Sequence, residues 1–125
     1  MADLLHDDVL DAALDALDGT STVTLHLCSS NPGLTYATAI SASLGNKAGP
    51  TIGAAADRTG GGRKRTVAAI TDGSVTASGT AAYYALIDVT AETVLASGHL
   101  SAGKALLTGN PFTLTAFDIG IPDPA

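Results

Sequence analysis

Cysteine and aromatic residues are scarce in this chain of 125 residues. Cys28 is the single cysteine, which excludes an internal disulfide and a cysteine-rich zinc site. Tryptophan is absent and only five residues are Tyr or Phe, so the core must be built from Val, Leu, Ile and many Ala side chains. Because alanine brings little apolar area to a core, we expect copies of the chain to stabilise one another by association.

Membrane and export signals are also missing from the sequence. No apolar run approaches the roughly 20 residues of a membrane-spanning helix. The N-terminus lacks the basic stretch of a signal peptide, which predicts synthesis in a cytoplasm without export. The formal net charge is −6, and a field of that sign repels nucleic acid and anionic membranes. The length predicts a single domain that covers residues 1–125.

Residues 1–19 carry a helical pattern that ends at Gly19. Its apolar positions are Leu5, Val9, Leu10, Ala13, Leu14 and Leu17. An acidic stripe lies along the same helix and consists of Asp7, Asp11, Asp15 and Asp18. Like charges at this spacing repel, so the stripe is unfavourable in an isolated helix. We interpret it either as a solvated face or as an interface with a basic partner surface.

Beyond Gly19 the pattern is typical of β-structure. An alternation of period two predicts a first strand at residues 20–28. Turn signals dominate residues 29–62, where we expect a long Gly-rich loop or arm. Residues 63–125 form short strands separated by turns, which predicts an antiparallel β-sandwich of the jelly-roll or immunoglobulin-like type. The expected fold class is therefore mainly β, with a short N-terminal α-helix over one end or edge.

Two local patterns refine this expectation. Tyr83 and Tyr84 are adjacent in a predicted strand, so their side chains must point to opposite faces of the sheet. The alternation of large apolar residues changes phase between Phe112 and Phe117. This change predicts a bulge or two-sided burial near Ala116.

The segment "DRTGGGRKRT" concentrates positive charge in an acidic chain. It holds four of the six basic residues, which are Arg58, Arg63, Lys64 and Arg65. The spacing fails the P-loop pattern, and a strand rather than a helix follows it. We predict that its glycines supply reach and unusual backbone angles and that the basic residues contact another protein. Contact of Arg63–Arg65 with a polyanion is the alternative, disfavoured because no aromatic residues interleave with them to stack bases.

No combination of residues in the sequence identifies a reaction. His26 and Cys28 share one strand face and could supply two metal ligands, but zinc usually takes three or four from the protein. We interpret that face as half-exposed strand surface. Neither a Gly-x-Ser-x-Gly elbow nor an EF-hand loop is present. We therefore predict no catalytic residue, no cofactor and no metal, and a small hydrolase is the least favoured class.

The chain as a whole resembles a group of small head-associated virion proteins of tailed bacteriophages. The resemblance is carried by "VLDAALDALDG", "VTLHLCSSNPGLTYATA", "SLGNK", "GRK", "AITDGSVTASGTAAYYALID" and "LASGHLSAGKALLTGNPFTLTAFDIGIPDPA". It implies a non-enzymatic structural protein of the virion, in the manner of a capsid decoration or cement subunit. The implied partners are the major capsid protein and copies of the chain itself. A tail, fibre or vertex module that binds a host receptor or glycan is the alternative.

The layout of charge is compatible with repeated subunits. Six of the twelve acidic residues precede Gly19, while four of the six basic residues lie between Asp57 and Thr66. The acidic helix of one subunit could pair with the basic loop of its neighbour, or either could meet the capsid shell. Electrostatic contacts of that kind set register more than affinity.

Overall fold

The computed structural model describes residue 14 and residues 23–121. Within residues 23–121 the fold is mainly β, its strands pair antiparallel, and one short helix lies between the first two strands. The elements are β1 Val23–Cys28, α1 Tyr36–Ala42, β2 Ser43–Ala48, β3 Ala56–Asp57, β4 Arg63–Val67, β5 Ile70–Val75, β6 Gly79–Asp88, β7 Thr93–Leu106, β8 Pro111–Leu114 and β9 Phe117–Ile121. No helix in the described part of the chain has the length and apolar character that crossing a membrane requires.

The strands form two sheets. Six strands make the larger sheet in the order β7-β6-β1-β2-β5-β8, and three make the smaller sheet in the order β3-β4-β9. The link at residues 115–116 carries the chain from β8 in the larger sheet to β9 in the smaller one. The change of phase near Ala116 therefore marks a change of sheet, and the bulge or two-sided burial predicted there is not found.

Apolar side chains from both sheets meet in one core. Leu25 and Leu27 of β1 and Phe112 of β8 are buried there, and Phe117 and Ile119 of β9 pack against them. The opposite face of the larger sheet forms a second cluster, in which Cys28, Ala85 and Ile87 pack with Ala39 and Ala42 of α1. All six residues of β1 are buried as a result.

The strand face that carries His26 and Cys28 is buried, so the prediction of a half-exposed surface is wrong. His26 Nδ1 lies 2.8 Å from Ser43 Oγ, and burial lowers the pKa of His26. The Cys28 thiol points at the Ala39 carbonyl oxygen at 3.7 Å, and burial raises its pKa to about 11. Both side chains therefore have hydrogen-bond partners within the fold, and Cys28 packs against α1.

The long loop predicted for residues 29–62 is interrupted by regular structure, so that prediction is wrong for much of the segment. It contains α1, β2 and β3, and β2 is an internal strand between β1 and β5. The sequence of β2 lacks the apolar alternation of a typical strand, since most of its residues are small or polar. One of them is Gly45, which lies where its neighbours leave no room for a side chain. A Cβ atom added at Gly45 would lie 2.5 Å from the Ser74 carbonyl oxygen.

A second close approach generates a stability prediction. A Cβ atom at Gly73 would lie 2.1 Å from the ring of Phe112, which is buried in the core. We expect Gly73→Ala to lower the free energy of unfolding by about 1–3 kcal/mol, because the ring must move or the backbone must shift. Chemical denaturation measures this change. The matched control is Gly53→Ala, since the nearest atom to its added Cβ is 3.6 Å away; equal losses in the two variants would contradict the prediction.

The buried histidine predicts a pH dependence of stability. A histidine whose pKa is lowered on folding binds protons more readily in the unfolded chain, so acid favours unfolding. The free energy of unfolding should therefore fall as the pH drops through about 6.5, the ordinary histidine value. His26→Gln should show a smaller fall than the wild type in urea titrations at about pH 7.5 and pH 5.5. An unchanged pH dependence in the variant would show that His26 is not the responsible group.

Candidate interaction surface

The glycine-rich segment forms the closed turn of the β3–β4 hairpin. Gly60, Gly61 and Gly62 have φ angles of 90°, 103° and 93°, in the region that favours glycine. The Arg58 amide donates to the Gly62 carbonyl at 3.0 Å, and the Gly61 amide donates to the Arg58 carbonyl at 3.1 Å. The prediction of unusual backbone angles is confirmed, but the segment is a tight turn and not an extended arm.

The two-residue period of β4 separates the three consecutive basic residues. Arg63, Arg65 and Val67 share one face of the strand, and both Arg65 and Val67 are buried. Lys64 and Thr66 share the opposite face, where both bond to the carboxylate of Asp118. The run of positive charge in the sequence therefore does not form one continuous patch.

Arg65 is a structural arginine. Only 8% of its surface is exposed. Its Nε donates to the Gly53 carbonyl at 2.7 Å, and its Nη1 donates to the Leu14 carbonyl at 3.4 Å. The guanidinium group thus ties β4 to two segments that are distant in sequence. Its burial removes Arg65 from the exposed docking surface on which the sequence placed it.

Arg63 and Lys64 are paired within the chain. Arg63 Nη1 lies 2.6 Å from Asp57 Oδ1 across the β3–β4 pair. Lys64 Nζ donates to Asp118 Oδ2 at 3.1 Å, and the Thr66 hydroxyl donates to Asp118 Oδ1 at 2.6 Å. The hydrogen bond from Thr66, followed by the one from Lys64, lowers the pKa of Asp118. Asp57 and Asp118 therefore neutralise two of the basic side chains that were predicted to contact a partner.

Arg58 occupies a different environment at the mouth of a polar cleft. The cleft has a volume of about 330 Å³ and is lined by Arg58, Thr59, Lys64, Asp118 and Gly120. The Arg58 side chain crosses Gly120, where an added Cβ atom would lie 3.0 Å from Arg58 Cδ. Its Nη1 donates to the Gly61 carbonyl at 3.1 Å, and it forms no ion pair with a described residue. We call this site the Arg58 cleft.

The acidic stripe of Asp7, Asp11, Asp15 and Asp18 lies outside the described residues, so its role as an interface stays a prediction. Leu14, between two of these positions, is helical and buried in the core between the sheets. Its carbonyl accepts the hydrogen bond from Arg65 of the same chain. At Leu14, therefore, the N-terminal segment meets the basic strand within one molecule.

Sequence reasoning missed a groove between β7 and the β8–β9 link. Its volume is about 680 Å³, and its lining includes Tyr84, Leu100, Lys104, Leu114 and Phe117. The Tyr84 and Phe117 rings lie 4.6 Å apart between centroids and are tilted by 48°. Tyr84 packs against the inner core and Tyr83 against the α1 cluster, so their predicted opposite orientation is confirmed. The groove has no local sequence signal, because strands remote in the chain form its walls.

The described residues contain neither a cluster of metal ligands nor a buried side-chain nitrogen or oxygen without a partner. No group of three His, Cys, Asp or Glu side chains there is placed to hold a metal ion. Every buried side-chain nitrogen or oxygen in this part of the chain has a hydrogen-bond partner.

Comparison with known proteins finds no match to a family model, a curated protein or a solved structure. Function is therefore inferred from the charge layout and the geometry of the surface.

The contrast between Arg65 and Lys64 generates a second stability prediction. Arg65→Ala should lower the free energy of unfolding by about 2–4 kcal/mol, because the Gly53 and Leu14 carbonyl groups lose a charged donor, the second of them in a buried environment. Lys64→Ala should cost less than about 1 kcal/mol, since it breaks an exposed ion pair. Urea denaturation of both variants tests the difference. Similar losses at the two positions would show that Arg65 does not hold the segments together.

Proposed function

We propose that this chain is a non-enzymatic structural protein of a phage virion, most specifically a capsid decoration or cement subunit that binds the assembled head shell. The observation that carries the proposal is the closed β3–β4 hairpin with its half-buried Arg58, which forms no ion pair with a described residue. The hairpin projects a fixed cation from a mainly β body in a chain of net charge −6. The family resemblance of the whole sequence supports the same role.

A closed hairpin suits attachment to a regular surface. Its three glycines adopt backbone angles that hold the turn shut, and two backbone hydrogen bonds cross it. Binding through a group that is already ordered loses less conformational entropy than binding through a flexible arm. The charged side chains around Arg58 then determine where the hairpin sits on its partner more than how strongly it binds.

The finer architecture belongs to the same proposal. Two antiparallel sheets share one apolar core, as expected for a β-sandwich. We propose a sandwich of the jelly-roll or immunoglobulin-like type, a common frame for virion surface proteins because its loops vary while its core is kept. The proposal includes the major capsid protein and copies of the chain as partners. It includes no nucleic acid, membrane, cofactor or reaction.

A tail, fibre or vertex module that binds a host receptor or glycan is the second candidate. The groove beside β7 favours it, because the tilted Tyr84 and Phe117 rings form one wall of a cavity large enough for a small ligand. Host contact would then use the groove, and attachment to the head would use the hairpin, through contact with the shell or with a neighbouring copy. The two candidates predict different positions and copy numbers in the particle.

Purified particles that carry this chain provide the test. Quantitative mass spectrometry and cryo-electron microscopy should place it on the head exterior, in numbers comparable with the major capsid protein. A copy number limited to the tail or a single vertex would favour the second candidate. Absence of the chain from intact particles would contradict both.

A matched pair of variants tests the hairpin itself. Arg58→Ala combined with Lys64→Ala should reduce particle occupancy, because it removes both cations of the cleft while Arg65 keeps the fold intact. Lys47→Ala combined with Lys104→Ala changes the net charge equally at positions outside the cleft, so occupancy should be retained. Thermal unfolding confirms that both proteins fold. Equal occupancy in the two variants would exclude the hairpin as the docking element.

A further inference from the structure

Most charged side chains in the described residues are neutralised inside the chain. Ion pairs join Lys47 to Asp72, Arg63 to Asp57, and Lys64 to Asp118. The carboxylate of Asp88 accepts hydrogen bonds from the amides of Thr90 and Ala91. By contrast, Arg58, Lys104 and Glu92 form no ion pair with any described residue. Of these three, Arg58 and Glu92 lie in turns that are closed by hydrogen bonds.

Arg58 is arranged to receive a carboxylate. Its stem is supported by Gly120, and its Nη1 is held by the Gly61 carbonyl, so the guanidinium group is oriented before any partner binds. A planar guanidinium group binds carboxylates through paired hydrogen bonds. Lys64 lies in the same cleft, but it is committed to Asp118. The cleft therefore keeps one net positive charge, the charge that a single carboxylate would neutralise.

Glu92 has the complementary properties. It lies in the turn between β6 and β7, its surface is exposed, and its φ angle is 54°. It is the one residue other than glycine with a positive φ among those described. The turn around it is fastened by the Asp88 hydrogen bonds and by the Thr93 hydroxyl, which donates to the Ala91 carbonyl at 3.2 Å. The hydrogen bonds of the turn therefore hold the backbone of Glu92 in place at an exposed position.

We propose that copies of this chain associate by placing the Glu92 carboxylate of one copy in the Arg58 cleft of the next. Charge complementarity selects this occupant, because an acidic chain repels its own copies unless opposite charges meet locally. Exposed Val89, in the same turn as Glu92, adds apolar area to the contact. Two such contacts related by a two-fold axis would give a closed dimer, whereas contacts repeated in one direction would give a ring or an open chain.

This inference deepens the proposed function and rests on it only for the premise that copies of the chain meet one another. It requires no capsid shell. The test therefore uses the isolated full-length chain, and particle occupancy is measured separately.

Charge reversal tests the proposed pair. Sedimentation velocity over a concentration series should show reversible association of the wild-type chain. Arg58→Glu and Glu92→Arg should each weaken association about tenfold or more, because like charges then face each other. The double variant, which exchanges the two charges, should restore association.

Lys104→Glu is the matched control, because it makes the same change of net charge as Arg58→Glu at a cation outside the cleft. It should associate like the wild type. Thermal unfolding shows whether each charge-reversal variant folds. If one does not, Arg58→Lys and Glu92→Gln replace them and should weaken association in the same direction, since the first loses the guanidinium fork and the second loses the charge.

Several results would overturn the inference. A wild-type chain that stays monomeric would do so, as would single variants that associate like the wild type. If association is not restored in the double variant, or if Lys104→Glu weakens it as much as Arg58→Glu does, Arg58 and Glu92 do not meet. Shell binding without self-association would overturn the inference and leave the proposed function standing. If the chain associates with itself but is absent from particles, the inference stands and the proposed function is overturned.

Discussion

The alternation of side chains along each β-strand is the constraint on which the rest of this structure depends. In β4 it turns Arg65 and Val67 toward the interior and Lys64 and Thr66 toward solvent. The same alternation in β9 presents Phe117, Ile119 and Ile121 to the core shared by the two sheets. A shift of one residue in the β4–β9 register would bury the ion-paired surface and expose the apolar one. Surface charge and core packing are therefore set together.

Glycine has two distinct roles in this framework. The three glycines of the β3–β4 turn are required for their backbone angles, which close the hairpin and orient Arg58. Gly45 and Gly73 are required for their lack of a side chain, because backbone and the Phe112 ring occupy the space that a Cβ atom would fill. The first role produces a rigid surface feature, and the second allows close packing around Phe112 in a chain with few aromatic residues.

Much of the fold was predictable from sequence wherever apolar alternation was strong. The strand at Val23–Cys28 and the opposite orientation of Tyr83 and Tyr84 are confirmed, whereas the change of phase near Ala116 marks a change of sheet and not a bulge. Helix α1 and strand β2 were not predicted, because their residues are small or polar and their partners are remote in sequence. The candidate site was located only in part. Its glycine turn was recognised, while the burial of Arg65 depends on carbonyl groups that other segments provide.

The sequence by itself determined the mainly β class, the acidic balance of the chain and the concentration of basic residues behind three glycines. These properties depend on composition and on patterns a few residues long. Only the tertiary structure decided which of those basic residues is exposed and which is paired. Packing brings the Gly53 and Leu14 carbonyl groups to Arg65 and the Asp118 carboxylate to Lys64, and these oxygen atoms accept hydrogen bonds from the two basic side chains. Arg58 keeps its charge available because the turn that orients it offers a carbonyl group and no carboxylate.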